Sequence, residues 1–413
     1  MIDYRQAQEM VLQHAHSFGR EAVPLEQAMG RVLAGTILAD RDYPPFDRAS
    51  MDGYALRYND LEKGIRRFAV IETLLAGYMP SRPLEAGECY KIMTGAAVPA
   101  GADIIIRREN TVEGKGVMTL PPVPAEALPA ATLPAPADPG FPWRPFQNIA
   151  RKGEDLVAGA VVIDRACICE PPVIGLLATL GHTTVTVERL PAIGLLTTGD
   201  EVVAADAAVG AVQIRNSNRW LLEAALKKTG AGPVSWDHAP DDPVLLWQRI
   251  DALLTNDILI LCGGVSAGDA DYVPGVLEAA GVKKLFHKIA IRPGKPVWCG
   301  VTVDGKMVFA LPGNPFSCLV NMVLLIRPYL QACYGLRPAE PLGLALGTAR
   351  PKRSPLDEFF PVYMHGSPAR LTPVPVNGSG DIRLGMQANG LALHPAACGP
   401  LAEGDIIPCY SFV

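Results

Sequence analysis

The residues best suited to chemistry lie in short runs that follow apolar stretches. In ILCGGVSAGDADYVP, residues 260–274, an apolar run opens into Gly263, Gly264, Ser266 and Gly268, then Asp269 and Asp271. In a doubly wound sheet, ligands bind beyond the carboxyl ends of the strands. Glycine turns there let backbone N–H groups approach an anion, and a helix N-terminus adds partial positive charge. The two aspartates are hard oxygen donors of the kind Mg2+ takes beside phosphate oxygens. An ordinary strand-to-helix turn with a capping aspartate accounts for the same residues.

A second run, HKIAIRPGKPVWCG at 287–300, brings Lys288, Arg292 and Lys295 close together. In extended chain Lys288 and Arg292 face the same way, and the Pro-Gly turn returns Lys295 toward them. Three converging cations suit a divalent oxyanion or a polyphosphate, whereas a charged strand edge that resists aggregation is the alternative. LPGNPFS, 311–317, is another elbow, with Asn314 and Ser317 at a helix start, as ligand groups or as a simple cap. Asp200 and Glu201 in TTGDEVV follow an apolar strand, and PDDP, 240–243, holds Asp241 where a helix cap is expected. Asp52 in ASMDGYAL, and Glu154 with Asp155 in NIARKGEDL, fit turn chemistry.

Elements must hold these runs in place. From Ala192, apolar strands alternate with amphipathic helices to about residue 335, the signature of a parallel sheet covered on both faces. Before it, residues 3–18 and 24–34 read as helices, and 57–113 as a compact β-rich region. Residues 121–145 are rich in proline and alanine and read as an exposed insertion; after Pro338, short strands imply a small β domain. The 413 residues suffice for about three domains. No apolar run reaches the eighteen or so residues of a membrane span, and the first segment lacks a signal-peptide pattern. A net charge of −5 gives no bulk attraction to nucleic acid or anionic membrane, so an anionic ligand needs a local cationic cluster. Nine scattered cysteines without a C-x-x-C pair fit a reducing cytoplasm and no structural zinc.

Taken in order, PPFDRASMDGYAL, KIMTGAAVPAGADIIIRREN, NIARKGEDL, LLTTGDEVV, RNSNRWLL, CGGVSAGDADYVP, KIAIRPGKPV and ALPGNPFSCLV closely resemble the molybdopterin molybdenumtransferase family, which includes the E domain of gephyrin. The resemblance implies a multidomain α/β plus β chain, with a central molybdopterin-binding-type α/β domain on a parallel-rich sheet. Around it come an inserted β-rich domain, a discontinuous elongated domain and a C-terminal small β barrel. The implied boundaries are 1–40 with 152–188, 41–151, 189–335 and 336–413. The implied activity is the last step of molybdenum cofactor synthesis. Adenylylated molybdopterin is cleaved, AMP leaves, and molybdate-derived metal enters the dithiolene with help from Mg2+. A cytoplasmic homodimer is implied, with transient contact to the adenylyltransferase and to acceptor molybdoenzymes.

Carried over by motif, Asp52, Thr94, Asp155, Glu201, Asp241, Asp271 and Lys288 match catalytic positions, Asp241 and Asp271 as metal ligands. Gly263, Gly264, Ser266, Gly268, Asn314 and Ser379 match substrate-binding positions, and Arg292, Lys295, Pro296 and Ser317 the molybdate pocket. Arg292 stands where several relatives have lysine. Where the family places an arginine two residues after a phenylalanine, LDEFFPVYM has Pro361, which brings neither charge nor N–H. Either a nearby cation substitutes or affinity drops; Arg383, replacing a small polar residue after Ser379, is the candidate cation, with an ordinary exposed surface arginine as the alternative. Rival readings are a molybdopterin adenylyltransferase, a tungstate-using or degenerate regulatory paralogue, and a gephyrin-like scaffold.

Overall fold

Alternation of side chains along buried strands decides the architecture. The structure is a computed structural model and describes residues 1–121, 143–265, 271–381 and 383–412. It comprises two compact units, 1–35 with 165–413, and 36–164. In the first, six strands form one sheet: β1 (Ile193–Thr198), β2 (Val234–Ala239), β3 (Ile258–Cys262), β4 (Lys283–His287), β5 (Trp298–Val301) and β6 (Met307–Leu311). Their order is β2-β1-β3-β6-β5-β4, with β2, β1, β3 and β6 parallel and β5 and β4 antiparallel. Ile258, Ile260 and Cys262 face one core while Leu259 and Leu261 face another, the period-two pattern of a strand buried on both sides.

Helices cover both faces, as the alternating pattern implied. Helix α1 (Ser217–Lys228) and the long α4 (Pro315–Cys333) pack on the first face; α2 (Pro243–Leu253) and α3 (Val273–Ala279) pack on the second. Contrary to the sequence expectation, α4 is long and apolar enough to cross a membrane. However, 78% of its most apolar window is buried, so it is the core helix of this unit. It widens to a π turn over Met322–Ile326, just before Pro328, whose missing N–H cannot serve the regular ladder.

The chain then closes a five-stranded barrel from β7 (Leu342–Leu346), β8 (Asp357–His365), β9 (Arg370–Pro373), β10 (Gly390–His394) and β11 (Ile406–Ser411). The ring runs β8-β9-β7-β11-β10 and back to β8, leaving no free edge. The N-terminal helix spans Tyr4–Leu12, shorter than expected, capped by Asp3. Residues 24–34 form no more than a 3-10 turn at Leu25–Gln27: Leu25 N–H donates to Thr183 O, Gly30 to Cys169 O and Leu33 to Cys167 O. Gly30, at φ +76°, could not continue a helix, and distant backbone partners override the local apolar spacing.

The second unit carries a six-stranded sheet ordered Ile104–Arg107, Gly53–Leu56, Glu88–Ile92, Arg67–Leu74, Val117–Thr119, Val112–Gly114. Tyr54, Leu56, Phe68 and Ile106 fill a core on one of its faces, Ala55, Leu74, Tyr90 and Ile105 one on the other. The insertion expected at 121–145 lies almost wholly outside the described residues.

Candidate functional site

The sheet of the first unit reverses its order beside β1, where β2 lies on one side and β3 on the other. A cavity of about 830 Å³ opens beyond the carboxyl ends of β1, β3 and β6, the place such sheets bind ligands. Thr198 and Gly199 line it from β1, Gly263 and Gly264 from β3, and Gly313 and Asn314 from β6. Gly263 has φ +108°, and a Cβ there would lie 2.5 Å from Thr198 Oγ1. Only glycine brings the backbone this close. Thr198 Oγ1 and Asn218 Oδ1 are buried side-chain atoms without a hydrogen-bond partner among the described residues, and both residues line the cavity.

Acids gather on one side. Glu201, Asp241 and Asp271 line the cavity. Asp242 caps α2, accepting from Val244 N–H and Leu245 N–H, which leaves the neighbouring Asp241 to face the site. Burial raises the Asp241 carboxyl above its ordinary range, and the charges of Asp200, Glu201 and Asp271 push the same way. A divalent cation would reverse that effect. Among the described residues no three histidine, cysteine or acidic side chains form a ready metal site. Mg2+ commonly takes only one or two carboxylates, completing its shell with water and phosphate oxygens, so the Asp241 and Asp271 donors fit it.

A second cavity, about 660 Å³, is lined by Arg292, Lys295, Pro296 and Ser317 together with barrel residues. The short strand Ile291–Arg292 pairs parallel with the start of β8, Arg292 opposite Glu358, which ties the basic loop to the barrel. Pro296, Pro312 and Asn314 line both cavities, forming a shared wall. Asn314 does not act as a simple cap. Its Nδ2 donates to Ser379 Oγ at 2.9 Å, and Phe316 N–H donates to Ser379 O, joining the helix start to the barrel.

The remaining expected residues are distributed differently. Lys288 lies past the end of β4 with φ +69°, so the same-face alternation with Arg292 does not hold, and it lines neither cavity. Asp52, Thr94 and Asp155 lie in the second unit. There Asp52 Oδ1 accepts from the Thr94 backbone N–H at 2.8 Å and its hydroxyl at 2.7 Å, which hold the Asp52 carboxyl below its usual range. Asp155 is exposed in a turn, its N–H bonded to Tyr43 O. Ser266 and Gly268, with Asp269, lie outside the described residues. Arg383 does not reach the second cavity: its guanidinium is clamped on Asp381, at 2.6 Å for Nη2 to Oδ2.

Two known families match most of the chain. The MoeA N-terminal region (domain I and II) matches residues 2–181, and the probable molybdopterin binding domain matches 194–332. A molybdopterin molybdenumtransferase of Synechocystis sp. is 30% identical, with all of both chains covered. The chain belongs to the molybdopterin molybdenumtransferase family. A Bacillus subtilis member is 32% identical over 94% of this chain and 88% of its own length. The crystal structure of a MoeA protein from Pyrococcus horikoshii OT3 superposes with a TM-score of 0.82 at 26% identity, covering 99% of both chains. The fold of the molybdenumtransferase family is therefore present throughout: α/β domain, β-rich inserted part, elongated part and terminal barrel. Sequence reasoning missed Thr198, Asn216, Asn218, Arg350 and Arg353. Asn216 Nδ2 donates to Thr197 Oγ1 at 2.8 Å, fixing the α1 start beside β1. RNSN at 215–218 and the basic run in ARPKRSP, 349–355, were the available signals.

Proposed function

We propose that the chain is an Mg2+-assisted molybdopterin molybdenumtransferase that cleaves adenylylated molybdopterin, releases AMP and inserts molybdate-derived metal into the dithiolene. The observation that carries this is the wall shared by Pro296, Pro312 and Asn314, with a glycine-lined acidic cavity on one side and a cationic cavity on the other. Transfer of metal to a pterin dithiolene needs an anhydride site and an oxyanion site in contact. The backbone at Gly263 and Gly264 approaches the phosphates, and the buried Thr198 and Asn218 oxygens orient the substrate. Asp241 and Asp271 would hold Mg2+, which supplies positive charge against the anhydride oxygens. Arg292, Lys295 and the Ser317 hydroxyl hold molybdate or, with its equal charge, tungstate. Lys288, and on their own unit Asp52, Thr94 and Asp155, remain catalytic candidates.

The same reading assigns 1–40 with 152–188 to a dimerising elongated domain, 41–151 to an inserted domain, 189–335 to the molybdopterin-binding domain and 336–413 to the barrel. It places a homodimer in the cytoplasm, in passing contact with the adenylyltransferase and acceptor molybdoenzymes. The test is mass analysis of small molecules released from protein given adenylylated molybdopterin, Mg2+ and molybdate. AMP and metallated pterin are expected, and Asp271→Asn should slow AMP release at least about tenfold. Consumption of ATP in place of AMP release would make the chain an adenylyltransferase instead.

A further inference from the structure

We propose that Arg353, on the loop leading into the barrel, is an oxyanion-binding residue of the second cavity and supplies there the cation that Pro361 cannot. The proposal rests on the reading of that cavity as the molybdate site. Among the described residues four basic side chains line the cavity, Arg292, Lys295, Arg350 and Arg353, against a single acid, Glu358. Arg350 is committed elsewhere. It forks onto Glu358 at 2.8 and 3.3 Å, bonds His394 Nδ1 at 2.8 Å and lies 4.1 Å over the Phe360 ring. Burial alone would raise the Glu358 carboxyl, but the Arg350 bonds and the nearby Arg292 charge outweigh it and hold the carboxyl below its usual range. The acid is thus already neutralised by Arg350.

Arg292, Lys295 and Arg353 remain, none in an ion pair among the described residues. Arg292 Nη1 donates to the Arg353 backbone carbonyl at 3.2 Å, which holds the Arg292 guanidinium against the Arg353 main chain, and both residues line the cavity. Three exposed cations on one cavity, none neutralised by an acid among the described residues, suit an anionic ligand, and a divalent tetrahedral oxyanion offers oxygens to each of them. Arginine is the better third group because its fork of donors matches two oxygens of such an anion at once. Pro361 lines the same cavity with no donor to offer. The charge therefore reaches the site from the loop rather than from strand β8.

The experiment is calorimetric titration of the full-length protein with sodium molybdate. Wild type is compared with Arg353→Ala, Arg353→Gln, Arg353→Lys, Arg292→Ala and Arg383→Ala, each with a melting curve. Both neutral variants at 353 should bind at least about tenfold more weakly with unchanged melting, lysine should recover part of the loss, and Arg383→Ala should bind as wild type. Wild-type affinity in Arg353→Ala and Arg353→Gln, alongside weakened Arg292→Ala, would overturn the role of Arg353 and leave the cavity reading standing. Wild-type affinity in Arg292→Ala, or no uptake of molybdate by the wild type, would remove the cavity reading and this proposal together.

Discussion

Gly263 shows how much a single residue can constrain this site. A methyl group there would meet the Thr198 hydroxyl and carbonyl and force an L-residue to φ +108°. Gly263→Ala should lower stability by at least about 1 kcal/mol and reduce AMP release further than that loss explains, read by chemical denaturation and single-turnover assay. His394 makes a different prediction. It accepts from Arg350 at Nδ1, so Nε2 carries the proton that is donated to Gly399 O at 2.7 Å, which is the neutral form. Burial, with Lys352 and Arg350 adding to it, holds its pKa below the ordinary imidazole value. A depressed histidine contributes stability in full above about pH 6.5, and that stability is lost as the pH falls below it. Between about pH 7.5 and 5.5 the wild type should therefore lose more melting temperature than His394→Asn, by differential scanning fluorimetry; an equal loss would clear His394 of any part in the pH dependence.

Helix α4 carries the element-scale argument, because its length and apolarity answer to the core of the first unit. Leu324 and Leu325 are fully buried, and either one changed to alanine should cost about 2–5 kcal/mol in denaturant unfolding. The start of the same helix leans on the barrel through Asn314 and Ser379, so Ser379→Ala should cost about 1 kcal/mol and weaken molybdate uptake in parallel. Elements of this kind were legible where the signal is local. Strand-glycine elbows at 262–264 and 311–314, and the strand-helix rhythm from Ala192, stand in the sequence as they stand in the fold. The stretch 24–34 misled because its hydrogen-bond partners, Cys167, Cys169 and Thr183, lie far along the chain. Arg383 misled for a different reason. Its distance from Ser379 was readable, but its capture by Asp381 and the approach of Arg353 to Arg292 depend on how the loops close.

At the scale of the whole molecule, the chain leaves the first unit after residue 35 and returns at 165. Within the second unit, Ile37–Leu38 pairs antiparallel with Val161–Ile163, so its two ends lie side by side. With cores of its own on both faces of its sheet, a 36–164 fragment should unfold cooperatively by itself; a broad, featureless melt would count against that independence. Among the described residues, the strand Arg20–Pro24 pairs with Thr184–Glu188. The helix Tyr4–Leu12 buries Tyr4, Ala7 and Val11 in the same core as Leu324, Leu330 and Phe359. A ribosome must therefore deliver the entire second unit before that strand can pair, and most of the chain before the first helix can be covered. During synthesis the Tyr4–Leu12 helix is thus covered later than the second unit that follows it, and until then its apolar face is open to chaperones and proteases.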